Sequence, residues 1–87
     1  MPKWRELKRF CDNDGWELYK DTDHYYYRKC MEDGTVLYTK VSKGSGEIHQ
    51  KMWLRIRNQQ LKVTQEYFNS KIKKLYLKKY NPGYKVL

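Results

Sequence analysis

The sequence predicts a one-domain α+β fold, a three-stranded antiparallel meander with its helices on one face, and three observations carry that prediction. The chain has 87 residues, enough for a single core. Apolar residues recur at helical spacing near both ends of the chain. Between them lie short runs of aromatic and β-branched residues, separated by turn formers. The resulting order is helix, three strands, helix, helix.

The first helix is read from Trp4, Leu7, Phe10 and Cys11, with Lys3, Arg5, Glu6, Lys8, Arg9 and Asp12 between them. It should stop at Asp12-Asn13-Asp14-Gly15, whose glycine can take the left-handed conformation that ends helices. Trp16 and Leu18 alternate with Glu17 and Tyr19 as a first strand, and Asp21-Thr22 turns the chain. His24 to Met31 reads as the second strand and Thr35 to Val41 as the third, joined by a tight turn at Glu32-Asp33-Gly34. Ser42-Lys43-Gly44-Ser45-Gly46 is a connection rather than a domain linker. It leads into a second helix with Ser45 as N-cap, Glu47 in its first turn and an apolar stripe of Met52, Trp53 and Ile56. Leu61 and Val63 then pass to Thr64, the N-cap of a third helix carrying Phe68, Ile72 and Leu75 and ending at Asn81-Pro82-Gly83.

Composition narrows the class of function. The formal net charge of +9 is one-sided: residues 1–39 hold seven Lys or Arg against eight Asp or Glu, and residues 40–87 hold twelve against two. A field of that sign attracts polyanions, nucleic acid above all. No window approaches the roughly 18 consecutive apolar residues that a membrane span requires, and Met1-Pro2-Lys3-Trp4 does not open an apolar signal segment, so a cytoplasmic protein with no membrane partner is expected. Cys11 and Cys30 are expected to be reduced and structural, since no CxxC spacing is present. Two isolated cysteines and two histidines 25 positions apart lack the paired-ligand spacing of zinc sites, so no metal and no cofactor is expected. Gly44-Ser45-Gly46 lacks the Lys-Ser/Thr of a Walker loop and reads as a plain connection, although N–H groups at the start of the second helix with Lys40, Lys43 and Lys51 nearby could hold one phosphate.

His24 is the residue with most chemical content. Two-residue alternation puts Tyr26 and Arg28 on its face of the strand, which brings together an imidazole, a phenol and a guanidinium. A proton carrier and a fixed cation are what metal-free RNA cleavage needs. The neighbouring Asp21 and Asp23 would favour the imidazolium. His49 reads as an ordinary helix-surface residue.

The segments Gly15-Trp16-Glu17-Leu18, Thr22-Asp23-His24-Tyr25-Tyr26-Tyr27-Arg28, Ser42-Lys43-Gly44-Ser45-Gly46-Glu47-Ile48, Trp53-Leu54-Arg55-Ile56 and Thr64-Gln65-Glu66-Tyr67-Phe68 together resemble HicA toxins over about residues 3–70. The resemblance implies a double-stranded-RNA-binding-domain-like α-β-β-β-α fold, here with an additional C-terminal helix in a basic extension, residues 71–87. It implies a cytoplasmic mRNA interferase, an endoribonuclease neutralised by a HicB-type antitoxin, and leaves room for a dimer within the antitoxin complex. The family's single catalytic histidine, in a Gly-Ser-His motif early in the second strand, carries over to His24, with Thr22-Asp23 standing in place of Gly-Ser. Asp23, Tyr26 and Arg28 then support the histidine, and Lys20, Lys40, Lys43, Lys51 and Arg55 are assigned to RNA phosphates. The alternatives are a non-catalytic RNA-binding module of the same fold, the tyrosines of its second strand stacking on bases or packing against a partner, and a purely protein-binding role with the exposed sheet face as the antitoxin interface.

Overall fold

The computed structural model describes residues 2–80, with side chains to residue 73. Its elements are α1 (Trp4–Asn13), β1 (Glu17–Asp21), β2 (His24–Cys30), β3 (Val36–Ser42), α2 (Gln50–Arg55), a π-helical turn (Ile56–Leu61) and α3 (Gln65–Tyr80). The protein is thus an α+β fold with a three-stranded antiparallel sheet in the order β1-β2-β3. Helix α1 ends where the sequence places its stop, and Gly15 takes φ +80° just beyond it. Gly34 does the same in the β2–β3 turn.

The core is one cluster between one face of the sheet and the helices. Tyr27, Leu37 and Val41 project from the sheet, and Leu7, Phe10, Trp53, Ile56, Leu61 and Phe68 project from the helices. Burial along β3 alternates residue by residue, because a two-residue period sends every second side chain to the covered face. Aromatic rings form the centre: Phe68 stacks on Phe10 at 5.0 Å and meets Trp53 edge-on at 4.6 Å. Thr64 caps α3 by accepting the Tyr67 N–H at 3.1 Å, as its position predicts.

Several details differ from the sequence reading. The second helix does not start at Ser45. Gly46 has φ +117°, which no helix accommodates, and segment 46–48 pairs with the N-terminus through Trp4 N–H to Gly46 O and Ile48 N–H to Pro2 O. Helix α2 therefore begins at Gln50, with His49 in the N-cap position rather than on the helix surface. Because α2 begins there, no helix start lies at Gly44-Ser45-Gly46 to hold a phosphate. Met52 is exposed, whereas Trp53 and Ile56 are buried. The widened turn that follows puts Ile56 and Leu61, five positions apart, into the same core and lets Gln60 accept the hydroxyl of the buried Thr39 at 2.8 Å. Cys11 is buried, but Cys30 is exposed at the end of β2, on the uncovered face, and so has no packing role there. Leu75 has no described side chain, and the stop at Asn81-Pro82-Gly83 lies outside the described residues.

Candidate functional site

Alternation on the central strand β2 sends Tyr25, Tyr27 and Lys29 toward the helices and His24, Tyr26, Arg28 and Cys30 to the open face, as the sequence pattern predicts. Strand β3 lays Ser42, Lys40, Tyr38 and Val36 beside them in register. Strand β1 contributes through an irregularity. Its pairing with β2 skips Tyr19, between Leu18 opposite Tyr27 and Lys20 opposite Tyr26. This bulge turns two consecutive residues, Tyr19 and Lys20, onto the open face, which regular alternation forbids.

His24 stands at the corner of this face, one-third exposed, directly after the β1–β2 turn. Its Nδ1 is buried and lies 3.3 Å from Asp23 Oδ2, close enough for charge attraction but off the line of a hydrogen bond. Nε2 is therefore the nitrogen left to the outside. The other oxygen of Asp23 accepts the Thr22 hydroxyl at 2.9 Å and the Tyr26 hydroxyl at 3.1 Å. Those two bonds, Thr22 foremost, hold the Asp23 carboxyl down to about 2, so it is charged at any working pH. The same bond raises the Tyr26 phenol, which keeps its proton and goes on donating to Asp23. Thr22, Asp23, His24 and Tyr26 thus form one polar cluster.

Not every expected partner joins it. Arg28 shares the face, but four residues along a strand separate it from His24 by about 13 Å. Its guanidinium donates to Glu17 at 2.9 and 3.3 Å and lies 5.0 Å from the Tyr19 ring. Arg28 is therefore not the fixed cation beside the imidazole. Lys20, 5.0 Å over the Tyr26 ring, and Lys40, opposite Tyr26 in register, are the cations in the row next to His24. Asp21 turns away from the histidine and accepts from Lys43 at 2.5 Å. Lys43 also caps the Tyr25 ring on the helix side of the sheet. Lys51 and Arg55 are exposed on α2, which covers the opposite face of the sheet, so they do not converge with His24.

The sequence reading leaves out Tyr19 and Tyr38. Both are prominent here, 40% and 54% exposed, with ring centroids 6.1 Å apart. Alternation back from Lys40 would have pointed to Tyr38. Nothing in the sequence marks the bulge that presents Tyr19.

Among the described residues no group of three or more His, Cys, Asp or Glu side chains is placed to hold a metal ion, and no helix is long and apolar enough to cross a membrane. Comparison with protein-family models, with curated proteins and with solved structures found no match. The functional reading therefore rests on the resemblance in the sequence and on the geometry of the site.

Proposed function

We propose that this protein is a HicA-type toxin of double-stranded-RNA-binding-domain-like fold, a cytoplasmic endoribonuclease that cleaves mRNA through His24 and is neutralised by a HicB-type antitoxin. The observation that carries the reading is the His24 imidazole at the corner of an open, cationic sheet face, its Nδ1 turned to the Asp23 carboxylate and its Nε2 outward. A carboxylate beside one ring nitrogen leaves the other as the proton carrier. Nε2 takes the proton of a ribose 2′-OH as its oxygen forms a bond to the adjacent phosphorus. The P–O5′ bond breaks on the opposite side of phosphorus, the departing 5′ oxygen takes a proton from water, and the imidazole afterwards returns its own to solvent. The products are a 2′,3′-cyclic phosphate and a 5′-hydroxyl. Lys20 and Lys40 attract the phosphate and offset the charge that builds on it.

The test is His24→Ala, assayed for RNA cleavage and for growth arrest on expression. General acid–base catalysis contributes about 10²- to 10⁴-fold, and a loss of that size is expected. A variant that cleaves and arrests growth like the wild type overturns the reading. The misalignment between Nδ1 and Asp23 favours the second reading, a non-catalytic RNA-binding module, and wild-type protein that binds RNA without cleaving it would establish that one.

A further inference from the structure

The open face of the sheet has an order of its own. The rings of His24, Tyr26, Tyr19 and Tyr38 follow one another at centroid distances of 6.2, 6.3 and 6.1 Å, running from the corner of the sheet along β2, to β1 and then across to β3, with Tyr19 and Tyr38 edge-on to each other. Cations flank the file: Lys20 over Tyr26, Arg28 over Tyr19, and Lys40 beside Tyr26. Tyr38 is more than half exposed and Tyr19 somewhat less, with the Arg28 guanidinium 5.0 Å from the Tyr19 ring.

We propose that this file is a binding track for single-stranded RNA, with Tyr38 and Tyr19 stacking on successive bases, Lys20, Lys40 and Arg28 contacting phosphates, and the strand running toward His24. The direction of the track rests on the function proposed for His24; the binding itself does not. Aromatic platforms interleaved with Lys and Arg are how proteins hold unpaired strands, because every unpaired base offers a flat face. In a duplex those faces are taken by neighbouring base pairs, so the track selects single strands. A protein partner fits the face less well. Interface centres are depleted in Lys, and here Lys20 and Lys40 flank the middle of the file. The bulge in β1 lets both Tyr19 and Lys20 join the track, since without it one of the two would face the helices.

The experiment uses a fluorescent single-stranded 2′-O-methyl oligoribonucleotide, which lacks the 2′ nucleophile, and the same strand annealed to its complement. Binding is followed by anisotropy across a salt series, so affinity is read independently of cleavage. The wild type is expected to bind the single strand more tightly than the duplex. Tyr19→Thr and Tyr38→Thr are each expected to weaken single-strand binding by at least about fivefold, while Tyr19→Phe and Tyr38→Phe retain it. Lys20→Gln and Lys40→Gln should each reduce the salt slope by about 0.7. These lysine variants carry the test if a threonine variant does not fold. Folded threonine variants that bind as tightly as the wild type overturn the proposal, as does equal affinity for the duplex. Wild type that binds no RNA at low salt also overturns it, and assigns the face to a protein partner. If His24→Ala abolishes cleavage of natural RNA while the tyrosine variants bind normally, the track falls and the ribonuclease stands; the reverse pattern leaves the track without the activity.

Discussion

The carboxylate of Asp14 offers the sharpest test of how this small core is held. Asp14 follows α1 and is 8% exposed. It accepts the Trp16 indole N–H at 3.1 Å, the Lys29 ammonium at 2.9 Å and the Tyr67 hydroxyl at 2.6 Å, with Lys71 at 3.6 Å. One side chain therefore ties the end of α1 to β2 and to α3. Asp14→Ala strands the indole and phenol donors and removes the counter-charge of Lys29. Breaking a buried pair from one side costs about 3–5 kcal/mol. Because the Lys29 and Lys71 side chains keep 28% and 20% of their exposure, they can rehydrate, and the lower end, about 3 kcal/mol, applies. A small domain has about 5–15 kcal/mol in all. The variant should accordingly lose about 12–24 °C in Tm at the usual sensitivity for this size.

Urea unfolding followed by tryptophan fluorescence measures this loss, with Trp16 reporting from the site. The pH dependence provides a second arm. Burial pushes the Asp14 carboxyl up, but the hydrogen bonds from Tyr67, Lys29 and Trp16 outweigh it, and the folded value lies below the ordinary one. A depressed carboxyl contributes its full stability above the unfolded pKa of about 4 and loses it as pH falls through the folded value. The wild type should therefore weaken in that acid window, and Asp14→Ala should show a flatter profile there. A cost under about 1 kcal/mol, or an unchanged acid profile in the variant, refutes the assignment of Asp14 as the cross-link.

Two further outcomes follow from the fold. In native protein a thiol reagent such as DTNB should titrate Cys30 alone, because Cys11 is buried and burial pushes its thiol far up; both should react in urea, and rapid labelling of two thiols in the native state would contradict this packing. Gly15→Ala should cost about 1–2 kcal/mol in chemical denaturation, since Gly15 holds φ +80° with open space where a Cβ would sit, so backbone strain is the whole effect; a neutral result would mean that the helix end is not left-handed.

The order of elements was legible in the sequence because it rests on relations between chain neighbours. Helical spacing through Leu7, Phe10 and Cys11 marked α1, and two-residue alternation placed His24, Tyr26 and Arg28 on one face. Glycines marked the end of α1 and the β2–β3 reversal. The composition of the site was less legible. Arg28 was grouped with His24 because both share a face, but its position opposite Glu17 depends on how β1 lies against β2. The start of α2 was misread because the pairing of segment 46–48 with residues 2–4 joins residues more than forty positions apart.

The order of helices and strands, the basic second half and the facing of the central strand can all be read along the chain. Each of these follows from periodicity or from counted charge. Packing alone takes Tyr19 out of the regular ladder, sets Lys20 and Lys40 beside Tyr26, and brings donors from β2 and α3 to Asp14. The reason is physical: a side chain's face follows from its own strand, whereas its partners follow from which elements pack beside it, and a bulge or a buried carboxylate acts only once they have packed.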